Sequence, residues 1–363
     1  MIEIVPMEGA PYARGRSAGE RLGEKVRGHL AGWLDALSQA HGNGEGAARL
    51  LLEETDFLPD IERYAPDLLE EVRGLADGAG VERDLIVALQ LLDEEWAWRA
   101  RRGGAPIKRE KCSSLAIVDV EGPTWIGQNM DLGPYTDGWQ ALLSIEAFGE
   151  APAALVFTGA GMIGLMGVNA AGLGVCVNSL PQLPSASHGL PVAFVIRLLL
   201  AAKNLTEASR LVLALPHATN QNYMLAEPGA VRAFEASAAG VNEFRPVHPG
   251  RILHTNHPLA ADKGAPETAD QRANSVARLH ALTNRLGSGA ANLANIKDAL
   301  SSYDDPKNPV SRMWNPQAGL TGFTTGSMIS ALREGVRPRT WVSAGPPHLR
   351  GYEEIVVGEP APA

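Results

Sequence analysis

One stretch of the chain has the pattern of a β-hairpin, and it reads KCSSLAIVDVEGPTWIGQNMDL over residues 111–132. Two runs of apolar and β-branched residues flank EGPT (121–124), a glycine- and proline-containing turn signal. The polar, basic segment RRGGAPIKREK (101–111) comes before it and predicts an exposed loop that is easily cut. Cys112 therefore stands where a cuttable loop meets a buried strand, which favours an accessible thiol over a packing residue.

The length of the turn decides which side chains of this hairpin share a face. If EGPT is the loop, Val120 pairs with Trp125. Since alternate residues of a strand share a face, four polar side chains are then expected together: Cys112, Ser114, Asn129 and Asp131. Cys112 and Asp131 would be diagonal neighbours about 7–8 Å apart. A slip of one residue would put them on opposite faces.

Composition excludes several classes of function. The chain has 363 residues, with 32 Lys and Arg against 41 Asp and Glu, for a net charge of −9. This balance argues against a nucleic-acid partner, which would need a basic stripe. The two cysteines, Cys112 and Cys176, exclude a disulfide framework and a cysteine-rich metal cluster. Cys176 lies inside an apolar run and is expected to pack in the core.

No segment of the sequence predicts export or a membrane partner. The first 26 residues lack the continuous apolar stretch of a signal peptide. The longest apolar run, LPVAFVIRLLLAA (190–202), is too short to span a bilayer and is interrupted by Arg197. The sequence thus predicts a cytoplasmic protein, and its Ala-, Gly- and Arg-rich usage suggests a bacterium with GC-rich DNA.

The order of hydrophobic patterns predicts an α+β fold. Helical periodicity dominates the first hundred residues, as in Leu22, Val26, Leu30, Leu34 and Leu37. Short strand-like runs fill 113–180 and recur at 222–227, 230–237, 251–257, 322–332 and 338–345. Helical segments lie between these groups at 192–202, 206–215, 270–286 and 293–301. Helices and strands in separate blocks are typical of a layered α+β body rather than of βαβ units.

A thiol nucleophile needs a base, and the sequence offers two. One is an imidazole from HTNH (254–257), either His254 or His257. The other is the α-amine that Cys112 would gain if the chain were cut at Lys111–Cys112. An α-amine has a pKa of about 7.7–8.0, suited to taking the thiol proton near neutral pH. The exposed loop favours the α-amine.

The 111–132 stretch resembles the nucleophile hairpin of the acyl-coenzyme A:isopenicillin-N (6-aminopenicillanic acid) acyltransferase family, within the N-terminal nucleophile (Ntn) hydrolases. The resemblance extends over nearly the whole chain, through segments in the same order and spacing: GAPYARGRSAGERLG (9–23), MGVNAAGLGVCVNSL (166–180), HTNH (254–257), SVARL (275–279) and TTGSMISALREGVRPRTWVSAGPP (324–347). Ser275 and Arg278 share a helix face, with a structural pairing and a functional one both open.

The resemblance implies an Ntn-hydrolase four-layer αββα sandwich with two stacked antiparallel sheets. It implies a single domain over 1–363. Self-cleavage at Lys111–Cys112 would divide this domain into an N-terminal segment, 1–111, and a C-terminal segment, 112–363.

Site residues follow from the same resemblance. Cys112 matches the nucleophile and the self-cleavage site, and Asp131 matches the acid that orients the new α-amine. Asn256 matches the amide that stabilises the tetrahedral oxyanion, and Asn178 matches an asparagine used similarly by bile-salt hydrolases. Three residues at the end of the hairpin are expected to line the acyl pocket: Met130, Leu132 and Tyr135.

Three departures from the family pattern bear on maturation and specificity. Lys111 stands where the acyltransferase usually has glycine before the nucleophile. Gln128 replaces an arginine common in bile-salt hydrolases, which argues against that specificity. The family carries a Ser-Arg pair just before its closing strand, whereas AGLTGFTTG (318–326) has no arginine and Arg312 lies upstream. This argues against a penicillin-type substrate and the use of acyl-coenzyme A.

The predicted function is hydrolysis or transfer of an acyl group from a small-molecule amide or thioester, without a metal or organic cofactor. His254 and His257 have no nearby acidic or cysteine cluster, so they do not predict a metal site. Two alternatives remain: a single-chain Cys/His hydrolase using His254 or His257, and a non-catalytic binding relative. The sequence allows a homo-oligomer without predicting one, and it leaves water and an amine open as acyl acceptors.

Overall fold

The computed structural model describes residues 2–103, 112–260, 269–287, 289, 291–315, 317 and 322–356. The predicted cleavage residue Lys111 and positions 104–110 of the loop before it lie outside the described residues. The helices are α1 (Pro11–His41), α2 (Gly44–Glu53), α3 (Phe57–Tyr64), α4 (Pro66–Ala79), α5 (Arg83–Leu89), α6 (Leu92–Arg101), α7 (Val192–Leu200), α8 (Leu205–Ala214), α9 (Ala269–Leu286), α10 (Leu293–Leu300) and α11 (Pro347–Arg350).

The strands are β1 (Glu3–Met7), β2 (Ser113–Val118), β3 (Thr124–Leu132), β4 (Gln140–Ile145), β5 (Ala154–Gly159), β6 (Met166–Asn169), β7 (Gly174–Ser179), β8 (Gln221–Glu227), β9 (Ala230–Ser237), β10 (Gly240–Phe244), β11 (Arg251–His254), β12 (Phe323–Arg333), β13 (Val336–Ser343) and β14 (Glu353–Val356). The predicted blocks of helices and strands are confirmed. Three strands are additional to the prediction: β1, β10 and β14.

The strands form two sheets in the part of the chain that the structure describes. The first sheet has the order β1-β4-β5-β6-β7-β8-β9-β10, and the second has the order β11-β2-β3-β12-β13-β14. Neighbouring strands are antiparallel except for β1 and β4, which are parallel. The N-terminal segment therefore supplies an edge strand to a sheet built otherwise from residues after Cys112.

The two sheets stack face to face, with β2 and β3 against β7 and β8. Helices α7 and α8 contact the first sheet, and α9 and α10 contact the second. The layers thus run helix, sheet, sheet, helix, which confirms the predicted α+β, four-layer αββα sandwich. Across the described residues, no helix combines the length and the apolar character needed to cross a bilayer.

The longest helix, α1, packs against α4 at very short range. Pro11 opens α1, where its missing N–H is not needed, and Gly42 closes it in the left-handed conformation at φ 83°. A Cβ atom at Gly19 would lie 2.2 Å from the carbonyl oxygen of Leu75, and one at Gly74 would lie 2.1 Å from that of Tyr12. Glycines on both helices therefore let the two backbones touch.

The predicted register of the β2–β3 hairpin is wrong. Trp125 pairs with Ile117 instead of Val120, because the turn covers residues 119–123 and has five residues. Asp119 stabilises it, since its main-chain oxygen accepts from the N–H of Gly122 at 3.3 Å and its side chain accepts from the N–H of Glu121 at 3.4 Å. The pairing is shifted by three residues, an odd number, so side chains exchange faces.

The correction changes the neighbours of Cys112. Ser114 pairs with Gln128, so alternation puts Cys112, Ser114, Gln128 and Met130 on the face turned toward the first sheet. Asp131 lies on the other face, the one turned toward α9 and α10. The predicted common face of Cys112 and Asp131 is therefore wrong.

Candidate active site

Cys112 directly precedes β2 and lies in the wall of a cavity. The cavity is bounded by α6, α7, the loop before β6, and parts of β3, β7 and β8. The Cys112 side chain is nearly buried, with 6% of its surface exposed, and its thiol Sγ lies 3.5 Å from Sδ of Met130. The described chain therefore holds this thiol at an internal surface with room beside it.

The lining of this cavity is mainly apolar. It includes Leu92, Trp96, Met130, Leu132, Leu165 and Ile196. The polar lining residues are Gln90, Asp93, Asp131, Ser179 and Gln221. Met130 and Leu132 thus line this cavity, and their part in binding an acyl group stays a prediction. Tyr135 is not among the lining residues, because its ring stacks on that of His29 in α1 with centroids 6.0 Å apart.

Burial raises the pKa of the Cys112 thiol well above its ordinary value, and the charge of Asp131 raises it further. A hydrogen bond to the main chain of Asp131 opposes this shift without cancelling it. The thiol is therefore protonated at neutral pH in the continuous chain. A group that takes its proton is therefore required when it attacks a carbonyl.

Asp131 is 1% exposed and belongs to β3. Its Oδ1 accepts a hydrogen bond from the hydroxyl of Thr324, its partner on β12, at 2.7 Å. Its charge also raises the pKa of Arg278, so the two side chains interact. The role predicted for Asp131 toward the new α-amine stays a prediction.

Arg278 of α9 connects several parts of the site. Its Nη1 donates to the carbonyl oxygen of Cys112 at 2.6 Å and to the hydroxyl of Ser113 at 2.8 Å, and its Nη2 donates to Oδ1 of Asn256 at 2.8 Å. Arg278 is 1% exposed, and burial lowers its pKa to about 10, which still leaves it charged at neutral pH. A planar guanidinium with several donors suits this branched arrangement, which an ammonium could not reproduce.

Asn256 follows β11, and both polar atoms of its side-chain amide are hydrogen-bonded. Its Oδ1 faces Arg278, while its Nδ2 donates to the carbonyl oxygen of Ser179 at 2.9 Å. Its main-chain N–H donates to the hydroxyl of Ser275 at 2.8 Å. Because Arg278 fixes the amide orientation, the Asn256 Nδ2 donor is directed toward Ser179, which lines the cavity.

Asn178 of β7 lies between the sheets. Its Oδ1 accepts from the hydroxyl of Ser114 at 2.6 Å and from Nδ2 of Asn222 at 3.1 Å. Within the described residues its buried Nδ2 has no hydrogen-bond partner. Asn178 is not among the residues lining the cavity, although its neighbours Val177 and Ser179 are. Its predicted part in oxyanion binding stays a prediction.

The two histidines of HTNH are engaged elsewhere. His254 Nε2 lies 3.1 Å from Oε1 of Glu235, and its Nδ1 lies 2.8 Å from the carbonyl oxygen of Thr255. His257 Nδ1 lies 2.8 Å from the hydroxyl of Ser275, and burial lowers the His257 pKa to about 4. Neither histidine is among the residues that line the cavity with Cys112. The described chain also contains no group of three or more His, Cys, Asp or Glu side chains arranged to hold a metal ion.

Arg312 is closer to the site in space than in sequence. Its main-chain N–H donates to the hydroxyl of Thr324 at 2.8 Å, and its carbonyl oxygen accepts from the N–H of Thr324 at 2.9 Å. Both bonds place Arg312 beside the start of β12 and the Thr324–Asp131 pair. Arg312, which the family pattern left unmatched because it lies upstream of the closing strand, is therefore beside that strand in the fold.

The sequence profile of the acyl-coenzyme A:6-aminopenicillanic acid acyl-transferase family matches residues 119–347. The chain belongs to this family. The match includes Asp131, Asn256 and Arg278 and starts after Cys112. The chain is also 26% identical over 312 residues to the 40 kDa form of the acyl-coenzyme A:6-aminopenicillanic-acid-acyltransferase of Emericella nidulans. This alignment covers 82% of this chain and 78% of that protein.

Solved structures of two other proteins are similar to part of this acyl-transferase family member. An orthologue of N-acylethanolamine-hydrolyzing acid amidase from Caenorhabditis elegans has a TM-score of 0.44 at 14% identity, covering 61% of this chain and 92% of its own. A mutant of the conjugated bile acid hydrolase of Clostridium perfringens has a TM-score of 0.47 at 13% identity, covering 68% of this chain and 92% of its own.

Several residues of this acyl-transferase family site were missed or left open by sequence reasoning. The pairing of Arg278 with Cys112 had only a weak signal, the shared helix face of Ser275 and Arg278. Asp93 and Gln221 had none, because they come from α6 and β8 and meet only in the folded chain.

Proposed function

We propose that this acyl-transferase family member is a cysteine amidohydrolase or acyltransferase that cleaves itself before Cys112. The observation that carries the proposal is the position of Cys112, whose thiol borders an apolar cavity while Arg278 holds its carbonyl oxygen and Asn256 together. The nucleophile and the proposed oxyanion donor are thereby fixed by one buried cation.

In the proposed self-cleavage, Sγ of Cys112 attacks the carbonyl carbon of Lys111. The new C–S bond replaces the C–N bond, and the thiol proton passes to the departing nitrogen, which becomes the free α-amine of Cys112. Water then hydrolyses the thioester, restoring the thiol and leaving a carboxylate on Lys111. Residues 1–111 and 112–363 become two chains.

The free α-amine supplies the base for the attack on the substrate. It takes the proton of the Cys112 thiol, Sγ attacks the substrate carbonyl, and the proton then passes to the leaving amine. Asp131 orients the α-amine, and Asn256 Nδ2 donates to the oxyanion, with Asn178 as a further donor. Water or an amine accepts the acyl group from the thioester. Every step uses groups of the chain, so no metal or organic cofactor is required.

The cavity favours an apolar acyl group on a small-molecule amide or thioester. Burial of such a group against Leu92, Trp96, Met130, Leu132, Leu165 and Ile196 would contribute about 0.8 kcal/mol for each CH₂ removed from water. The single-chain Cys/His alternative is disfavoured, because His254 contacts Glu235 and His257 contacts Ser275.

Intact-mass analysis and N-terminal sequencing of the purified protein test the proposal. We expect a fragment starting at Cys112 in the wild type and only full-length chain in Cys112→Ala. Cys176→Ala is the matched control, since this second buried thiol is not among the residues that line the cavity. A wild type that stays full length yet hydrolyses an N-acyl amide would contradict the α-amine mechanism.

A panel of N-acyl amides and thioesters tests the activity itself. We expect hydrolysis that disappears in Cys112→Ala and persists in Cys176→Ala. A correctly cleaved protein that turns over no member of the panel would instead support a non-catalytic binding relative.

A further inference from the structure

We propose that Gln90 is a positioning residue that limits the length of the acyl group in the cavity, an inference that rests on the proposed function. Gln90 fixes the loop of residues 160–165, which connects β5 to β6. Three residues of this loop line the cavity with Cys112: Met162, Gly164 and Leu165. All six residues of the loop are buried, so its main-chain polar groups need partners other than bulk water.

Side chains outside the loop supply such partners. The carbonyl oxygen of Met162 accepts a hydrogen bond from the hydroxyl of Thr158 at 3.1 Å, and that of Ile163 accepts one from Nη1 of Arg197 at 3.0 Å. Glu71 balances the charge of Arg197 through two contacts, of 2.6 and 3.0 Å. The peptide units of the loop are therefore fixed one by one from the surrounding elements.

Gln90 makes more bonds to this loop than any of these side chains. Its Nε2 donates to the carbonyl oxygen of Gly161 at 2.7 Å and to that of Ile86 in α5 at 2.8 Å. Its Oε1 accepts from the main-chain N–H of Ile163 at 2.9 Å. Both amide hydrogens and the amide oxygen are thus used in a side chain that is 1% exposed. A carboxylate in the same place would turn an acceptor toward carbonyl oxygens.

This bonding makes the loop a stiff wall. If the loop moved outward, the Gly161 carbonyl and the Ile163 N–H would lose their partner inside the protein, which is costly for buried groups. An acyl chain that fills an apolar cavity gains from each methylene group until it meets such a wall. One methylene group in a fitted pocket changes the rate by about 10- to 200-fold, so a fixed wall gives a sharp upper limit of acyl length.

The wall and its supports belong to different segments of the proposed two-chain protein. Gln90 and Glu71 lie within 1–111, as does His29, whose Nδ1 lies 2.7 Å from the carbonyl oxygen of Ala160. The loop itself lies within 112–363. After the proposed cleavage, the chain without the nucleophile would therefore set the acyl selectivity of the chain that carries it.

A series of linear acyl p-nitroanilides, from acetyl to decanoyl, tests the proposal. We expect kcat/KM of the wild type to rise to an optimum length and then to fall by about tenfold or more within two further methylene groups. Gln90→Glu keeps the size of the side chain but not its donors, and should reduce this fall to about threefold or less through a lower KM for the long substrates. The same exchange at an exposed position of α1, Gln39→Glu, should leave the profile unchanged.

Thr158→Val separates positioning from direct contact. Thr158 is 1% exposed and is not among the residues that line the cavity, so this variant releases the Met162 carbonyl without changing the lining. We expect it to reduce the fall in the same direction as Gln90→Glu, by a smaller factor. Each profile is normalised to the acetyl substrate of the same variant, so a general loss of folded protein does not imitate the effect.

Three results would overturn the proposal. One is a wild-type profile without a fall at long acyl chains, and another is a fall that Gln90→Glu and Thr158→Val both leave unchanged. The third is a fall that Gln90→Glu reduces and Thr158→Val does not, because Gln90 would then act by touching the acyl group. If Gln90→Glu failed to fold, Thr158→Val would still decide between a changed and an unchanged profile.

Calorimetric binding distinguishes this inference from the proposed function. The ligands are the primary amides of the same acyl groups, measured with the wild type and with both variants. Absence of turnover together with a length limit of binding that both variants relax would count against the proposed function and support the role of Gln90. Turnover with the same length profile in all three proteins would do the reverse, and absence of both turnover and binding would overturn both.

Discussion

Arg278 donates a hydrogen bond of 2.6 Å to the carbonyl oxygen of Cys112, across 166 positions of the chain. The same guanidinium bonds Oδ1 of Asn256 at 2.8 Å. Helix α9 therefore aligns the peptide unit of the proposed nucleophile with the amide that is proposed to bind the oxyanion. The alignment depends on the shape of the cation as well as on its charge, since one planar group reaches four acceptors, the fourth being Oδ1 of Asn274 at 3.0 Å from Nε.

Arg278→Lys tests this positioning role. We expect kcat to fall by about a hundredfold while KM changes little, since a lysine keeps the charge but cannot hold both groups in register. Steady-state kinetics on an N-acyl amide measures the split. Arg210→Lys, at an exposed position of α8, is the control and should behave like the wild type. A rise in KM of similar size with an unchanged kcat would contradict the positioning role and indicate a role in substrate binding.

Asn256→Asp replaces the proposed oxyanion donor by a group of the same size. A carboxylate there cannot donate and repels negative charge on the substrate oxygen, so kcat should fall by about 10²–10³. The exposed Asn295→Asp carries the same charge change and should leave kcat unaffected. Stopped assays at saturating substrate give the comparison, and a wild-type kcat in Asn256→Asp would exclude the assigned role.

Two glycines of α1 should differ in how much stability they lose on substitution by alanine. At Gly19 the added Cβ would lie 2.2 Å from the Leu75 oxygen and 2.8 Å from the Ala79 nitrogen, so α1 and α4 must separate. At Gly23 the nearest atom is Nη1 of the flexible Arg27 side chain, at 3.1 Å. We expect Gly19→Ala to lower the free energy of unfolding by about 1–3 kcal/mol. Gly23→Ala should stay within about 1 kcal/mol of the wild type because helix propensity favours alanine.

Thermal unfolding of both variants checks this expectation. A similar melting temperature for Gly19→Ala and Gly23→Ala would mean that the short approach of α1 to α4 contributes no specific stability.

Glu94 makes stability depend on pH. Burial, followed by the charge of Asp93, raises its pKa to about 8, so it is protonated in the folded protein over a range where the unfolded chain is ionised. Between about pH 4.5 and 8 the folded state thus binds more protons, and stability falls as the pH rises through this window. At about 1.4 kcal/mol per pKa unit, the loss is on the order of a few kcal/mol.

Glu94→Gln removes this titration. The glutamine oxygen can still accept from the Val192 N–H and the Thr219 hydroxyl, as Oε1 of Glu94 does. The difference in melting temperature between the variant and the wild type should therefore be small at pH 5.5 and favour the variant at pH 8.5. A difference that does not change with pH would show that Glu94 is ionised in the folded protein.

The sequence predicted the layers better than it predicted the hairpin. The spacing of hydrophobic residues identified most helices. It also identified the central strands, because these are apolar on both faces. The missed strands β1, β10 and β14 all lie at sheet edges, where a short strand has one neighbour and weaker patterning. For β1 the partner is β4, more than a hundred residues away, which no local pattern reveals.

The site shows the same limit. The resemblance identified Cys112, Asp131 and Asn256, but the face of Asp131 depended on whether the turn had four residues or five. The polar wall made by Asp93 and Gln221, and the approach of Arg312 to Thr324, arise from contacts between distant segments. The periodicity of hydrophobic residues predicts helices and strands one at a time, whereas these contacts depend on how the layers pack against one another.

The parallel pairing of β1 with β4, together with the stacking of His29 in α1 on Tyr135, puts the first segment into the body of the second. If the backbone is cut before Cys112, the enzyme becomes a heterodimer whose halves share one core. Its unfolding then turns from a unimolecular into a bimolecular equilibrium, so its melting temperature should depend on protein concentration while that of Cys112→Ala should not. Folding would have to precede cleavage. After cleavage, a denatured protein could refold only if its two chains associated again.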